Sequence, residues 1–238
     1  MFRRLLPLFL LVTGIALAQK QNTCGDIPYD PSQAICRDDI LCPVVDGFPQ
    51  DLCGGQCYSS LNHTCDNGTI CPRAPQEGPY LIRVLTWYGD MDELAIDACG
   101  GAFFAGRSSS SCTWCPYQQF PETCSAAVNI TVLEGTENMH VIVPGGQRFY
   151  INALGALAYT RAHSGIIPEN SIVGEIQAFQ EGGFIYAAGG GWYACPASEP
   201  GVYQIFNRLE GVVLDAACIG INIAVNSLEG GLFAWQYQ

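Results

Sequence analysis

The sequence predicts a mainly β protein in two parts: a small, disulfide-stapled, duplicated module followed by a β-sandwich or barrel domain. Three observations predict it. Cysteines recur with a fixed period of 29 residues between positions 24 and 72. A proline-rich stretch then breaks the chain at 73–79. From residue 80 onward, apolar runs alternate with turn residues and do not follow a helical period.

The N-terminus comes first. Arg3 and Arg4 precede an apolar stretch at 5–17, and Ala16-Leu17-Ala18 fits a small-x-small cleavage pattern. Residues 1–18 therefore read as a secretory signal peptide, with a mature chain starting at Gln19. A signal anchor is the rival reading, but the stretch is short for a bilayer span and lacks a stop-transfer flank. All 13 cysteines follow the cleavage site, the density expected of an oxidising compartment. Three acceptor sequons, at Asn62, Asn67 and Asn129, suit the same secretory route. An extracellular location, free or at the cell wall, is expected.

Charge narrows the partners. Without Arg3 and Arg4 the chain has 8 basic residues against 22 acidic ones, a net charge of −14, and Lys20 is its only lysine. So acidic a surface repels phosphate backbones and anionic headgroups. No nucleic acid and no membrane partner is expected; a neutral polysaccharide fits better.

The module occupies 19–72. Cys24-Gly25 recurs as Cys53-Gly54, Tyr29 as Tyr58, Cys36 as Cys65, and Cys42-Pro43 as Cys71-Pro72. Three cysteines per unit cannot all pair internally, so one must reach the other unit or Cys57, which has no counterpart in the repeat. A segment this small needs covalent staples to hold a fold. Thirteen is odd, so one cysteine is left over as a thiol or pairs between chains; Cys71 is the expected one, then Cys57. The other bonded cysteines are Cys24, Cys36, Cys42, Cys53 and Cys65 here, and Cys99, Cys112, Cys115, Cys124, Cys195 and Cys218 in the second part.

Residues 73–79 read as a linker, so the two parts are expected to fold separately. The β domain spans 80–238. Strands are expected at 81–88, 139–143, 148–151, 184–187, 202–206 and 232–237, with a turn at Pro144-Gly145-Gly146. The clearest strand is 219–225, where Ile219, Ile221, Ile223 and Val225 alternate with small or polar residues and so mark one buried face. A short helix is expected at 92–98, capped by Asp90.

Two resemblances follow. Cys24-Gly-Asp-Ile-Pro-Tyr29-Asp-Pro, Ile40-Leu41-Cys42-Pro43 and Cys53-Gly-Gly-Gln-Cys57-Tyr58-Ser resemble the small cysteine-rich carbohydrate-binding module, family 52, of fungal endo-1,3-β-glucanases. Cys71 departs from that pattern, which has six cysteines. Val143-Pro-Gly-Gly-Gln147, Gly155-Ala-Leu157, Ala162-His163-Ser164 and Phe233-Ala-Trp235-Gln-Tyr237 resemble secreted fungal proteins described as IgE-binding or uncharacterised. The first resemblance implies non-catalytic recognition of β-1,3-glucan; a glycoside hydrolase-like enzyme in 80–238, targeted by the module, is the alternative.

Sugar rings pack their C–H faces on aromatic side chains while amides and carboxylates hold their hydroxyls. The module offers Tyr29, Tyr58 and Phe48 for the first role and Asp30 and Gln56, with Asp26, for the second. The two tyrosines could equally form the module's small core. In the β domain Trp192 and Tyr193 follow Gly189-Gly190-Gly191, so Trp192 is either presented on a loop or buried. Trp87-Tyr88, Trp114, Tyr117 and Trp235 are further aromatics. Glycoside hydrolysis needs two carboxylates across a cleft. Asp90, Asp92, Glu93 and Asp97 are the one dense acidic group outside the module and read as a helix N-terminus, with calcium as the rival. His163-Ser164 has no implied Asp partner, and His63 and His140 lack ligand spacing. No cofactor, metal or catalytic residue is expected.

Overall fold

The computed structural model describes residues 22–238 except Tyr88, Ser109, Ser110, Ala187 and Gly189. The expected signal peptide lies outside the described residues, as do Tyr88 and Ala187 at the ends of two expected strands.

The module is a chain of short hairpins. Ala34–Arg37 pairs with Ile40–Val45, which pairs with Phe48–Pro49. Asp51–Cys53 pairs with Gln56–Tyr58, and His63–Asp66 with Thr69–Pro72. The reversals are the dipeptides Asp38-Asp39, Asp46-Gly47, Gly54-Gly55 and Asn67-Gly68, and every one of these residues has positive φ. Type I′ turns demand that conformation, and their twist matches the paired strands. The second unit is tight: a Cβ at Gly54 would stand 2.2 Å from the carbonyl oxygen of Gly68.

Cys24–Cys36 and Cys53–Cys65 occupy equivalent places in the two units, and Cys42–Cys57 ties one unit to the other. Cys71 is the free thiol. The pairing accounts for it: Cys42 bonds 15 residues ahead, and the same step from Cys71 reaches Thr86. Loops of this size stabilise by about 3 kcal/mol each through the unfolded chain. They are needed, because Cys24, Cys42, Pro49 and Cys53 are the only described module residues that are fully buried.

The β domain is built on a ten-stranded antiparallel sheet. Its neighbours run Asn138–Met139, Leu133–Glu134, Tyr80–Leu85, Ile219–Ser227, Trp192–Pro196, Tyr203–Asn207, Ala102–Ala105, Leu157–Tyr159 and Phe149–Ile151, with Ile96–Cys99 also on Ala102–Ala105. The two ends of this path meet. Asn138 bridges Arg148, the Met139 N–H donates to Gln147 O, and the Phe149 N–H donates to Glu137 O. The circuit of pairings among the described residues therefore closes as a barrel does. Tyr80, Phe103, Phe149, Leu157, Phe184, Ile205 and Ile223 fill the core. Cys99–Cys112, Cys115–Cys124 and Cys195–Cys218 staple the surrounding loops.

Two expectations are corrected. Residues 92–98 form no helix; a turn precedes the strand Ile96–Cys99, which pairs in a hairpin with Ala102–Ala105. The physical reason is the Gly100-Gly101 reversal, positive in φ at both residues, which places Ile96, Ala98, Phe103 and Ala105 in the core together. The helix that does form, Pro121–Ala126, starts at a proline and is held by Cys124 to Cys115. The strand Ile219–Ser227 is buried on both faces from Ile221 to Val225, not on one. Its second face lies under the module and the 180–183 turn: Asn222 Nδ2 donates to Asp46 O at 3.3 Å, and Gly183 bridges Ala224.

The 73–79 stretch does not stand free. The Gln76 N–H donates to Ala178 O, the Gln180 N–H to Ala74 O, and Ser227 Oγ to Gln76 Oε1. Arg73 donates from Nε to Ser60 O and from Nη1 to Gln180 O, so one side chain ties the module to the β domain.

Candidate carbohydrate-binding site

Tyr29 follows the strand Ile27–Pro28, gives its N–H to Asn22 O and is half-buried. Asp30 beside it is exposed. Its carboxylate accepts the Ser32 N–H at 2.9 Å and the Ser32 hydroxyl at 2.7 Å, and these bonds hold its pKa below the ordinary carboxylate value. Tyr58 closes the hairpin opposite Asp51 and is half-buried, while Gln56 stands exposed beside the Gly54-Gly55 turn. These four residues occupy equivalent regions of the two units. Phe48 is elsewhere. It follows the Asp46-Gly47 turn and faces the β domain.

Phe48 marks the seam between the two parts. Cavities of about 230 Å³ and about 640 Å³ adjoin there and share Phe48 and Leu61 as lining. The smaller holds Asp46, Gln50, Asn62, Tyr186, Asn207 and Asn222. The larger runs past Arg73, Arg83, Glu181, Asn226 and Glu229. The Gly183 N–H donates to Leu61 O at 2.6 Å between them. Burial pushes the Asp46 carboxyl above the ordinary value, and Arg208 nearby partly offsets this.

Trp192 is buried, 4% exposed. Its indole N–H donates to Phe184 O at 2.6 Å and its ring stacks on Phe184, so of the two alternatives for this residue the structure shows burial. The glycines before it serve close approach. A Cβ at Gly191 would lie 2.5 Å from Asp46 Cγ, and one at Gly190 would lie 2.6 Å from Arg208 O. Tyr193 is half-buried, with the Arg208 guanidinium over its ring at 5.3 Å.

Three of the four acids at 90–97 are engaged in structure. Asp92 Oδ1 accepts the Thr86 N–H, Glu93 pairs with Arg83, and Asp97 accepts the Ser111 hydroxyl at 2.7 Å. Ser111 in turn bonds Thr131, whose hydroxyl receives the Ala98 N–H. His163 is exposed and Ser164 Oγ accepts the Ile166 N–H; His63 contacts Asn62, and His140 contacts Glu134. The sequence reading passed over Phe120, which is exposed and stacks on Trp235 at 4.9 Å, close to exposed Trp114 and Tyr117. It also passed over Asp46 and Asn207; the Asp46-Gly47 pair was a legible turn signal, the Asn207 amide was not.

Residues 23–70 match the family model described as Carbohydrate binding, and residues 86–238 match that of the PhiA-like secreted protein. The chain belongs to the PhiA-like secreted protein family. A relative named "Uncharacterized secreted protein", from Arthroderma benhamiae, is 32% identical over 184 residues, 70% of this chain and 90% of that one. The Primary septum glucan endo-1,3-beta-D-glucosidase of Schizosaccharomyces pombe is 39% identical over 49 residues, 21% of this chain and 5% of that enzyme. No solved structure matches. Both resemblances read from the sequence are borne out: this PhiA-like chain is secreted and carries a carbohydrate-binding module at its N-terminal side.

Proposed function

We propose that this protein binds cell-wall β-1,3-glucan and does not cleave it. The observation that carries the reading is the extent of the shared segment. It spans 49 residues and only 5% of a glucan endo-1,3-β-glucosidase, and the family model over nearly the same region is described as carbohydrate binding. What the two chains share is thus a recognition unit, detached from the bulk of the enzyme. A neutral glucan also suits a surface of net charge −14, which repels anionic polymers. The non-catalytic half of the reading is supported by Asp92, Glu93 and Asp97, which are tied to structural partners where a hydrolase would need a facing pair across a cleft.

Full-length protein incubated with insoluble β-1,3-glucan, chitin and cellulose tests it. Retention on the glucan, insensitive to salt and without release of reducing sugar, is expected. Tyr29→Ala and Tyr58→Ala should weaken retention if those rings contact sugar; if they are core, unfolding and scrambled disulfides appear first. Steep salt dependence would overturn the neutral ligand, and sugar release would move the function to an enzyme in 80–238.

A further inference from the structure

We propose that the seam between module and β domain is itself a glycan subsite, built from residues of both parts. The inference rests on the β-glucan reading above and adds to it a place and a set of contacts. Its starting point is Asn207. This residue ends the strand Tyr203–Asn207, lines the smaller seam cavity and is 0% exposed, yet neither Nδ2 nor Oδ1 of its amide has a partner. A buried amide with both groups unpaired is costly, and proteins keep few of them. Its main chain is fully used, the N–H donating to Gly155 O and the carbonyl accepting from Leu209 N–H.

The opposite wall supplies the complement. Asp46, at its hairpin tip, gives its backbone carbonyl to Asn222, but its carboxylate oxygens accept no hydrogen bond among the described residues. Gly191 admits that carboxylate to the strand end beside Trp192, the register partner of Asn207. One unpaired amide and one half-buried carboxylate therefore line one cavity, with Phe48 and Tyr186 beside them.

That set selects its ligand by chemistry. An amide offers a donor and an acceptor to neighbouring hydroxyls, a carboxylate accepts from a third, and an aromatic face takes the C–H side of a ring. An anion would meet Asp46, and a cation would find one carboxylate already partly answered by Arg208. A neutral polyol satisfies every group. The cavity of about 230 Å³ is small beside ordinary ligand pockets, so it suits one sugar unit. The larger cavity past Phe48 gives a polymer somewhere to continue. The β domain thus takes part in recognition and is not only a support for the module.

The test uses the full chain and a soluble β-1,3-gluco-oligosaccharide of six units, with affinity by calorimetry and stability by thermal unfolding. Asn207→Ala and Asp46→Asn should each lower affinity at least tenfold. Asn207→Ala should leave the melting temperature unchanged or higher, because it removes an unpaired buried amide; a purely structural amide would give the opposite sign. Wild-type affinity in both variants, as expected if the cavity holds only water, overturns the subsite and leaves glucan binding intact. A drop in melting temperature with retained affinity in Asp46→Asn overturns it likewise. If the wild-type protein is not retained on insoluble β-1,3-glucan at all, the reading beneath fails and the subsite falls with it.

Discussion

Gln147→Leu is the substitution whose cost the structure states most directly. Gln147 is 2% exposed, and its side chain makes three hydrogen bonds to main chain. Nε2 donates to Thr160 O at 2.8 Å and to Tyr237 O at 3.0 Å, while Oε1 accepts the Tyr237 N–H at 2.7 Å. The turn at Val143–Gly146 delivers it there, closed by the Gly146 N–H to Val143 O. Leucine keeps the volume and removes all three bonds. Each main-chain group left without its partner costs about 1–3 kcal/mol, so the loss is about 3 kcal/mol at the lower figure. That is a large part of the roughly 5–15 kcal/mol that holds a folded domain. For a chain of this size it corresponds to about 6–12 °C in melting temperature. Urea unfolding at unchanged m-value reads the energy, and hydrogen exchange at the Tyr237 amide reads the place. The neighbouring Val132 N–H, which donates to the Tyr237 hydroxyl, should exchange faster too. A loss below about 1 kcal/mol, or a Tyr237 amide as protected as in the wild type, would refute the reasoning.

Acidification supplies a second expectation. Burial raises Asp46 and Asp97 above the ordinary carboxylate pKa near about 3.9. The folded state then holds protons that the unfolded state releases, so their contribution is full below about pH 4 and is lost as pH rises through the raised values. Melting temperature should climb on lowering the pH from neutral towards about 4, and Asp46→Asn or Asp97→Asn should flatten the slope; Asp30, lowered by Ser32, opposes the trend. Glycopeptide mapping should find sugar at Asn67, exposed on a hairpin tip, and at exposed Asn129. Asn62 should be bare, because its amide oxygen contacts His63 Nδ1 at 2.8 Å and it lines the seam cavity.

Much of this architecture was legible because it is local. The 29-residue period and the strand runs lie within short windows, and the alternation at 219–225 predicted a strand that the structure shows as Ile219–Ser227. The helix expected at 92–98 failed on a local signal overlooked. Gly100-Gly101 is a two-residue hairpin turn, and a hairpin turn outweighs an acidic run that happens to suit a helix start. The motifs shared with secreted fungal proteins also gain a physical meaning. Gln147 of the first and Tyr237 of the last are partners across 90 residues, so the two motifs are halves of one brace.

The candidate site was legible only on its module side. Tyr29 and Tyr58 could be named because the repeat pairs them, and Asp30 and Gln56 because they lie beside those tyrosines, whereas the seam depends on contacts no window contains. Asp46 and Asn222 are 176 positions apart, and Asn207 looks like any polar strand end until its neighbours are known. The even burial of Ile221 to Val225 is where sequence and fold part company. Asn222 and Ala224 sit where alternation says water should be, and the module and the 180–183 turn are there instead. The same coverage explains the glycines before Trp192, which left display and burial of the indole open in the sequence and clear room for Asp46 and Arg208. A polar face hidden by a second part of the same chain keeps its polarity only if something answers it. Asn222 is answered by Asp46 O, and the Asn207 amide is not, which is what makes the seam a place where a ligand has a group to meet.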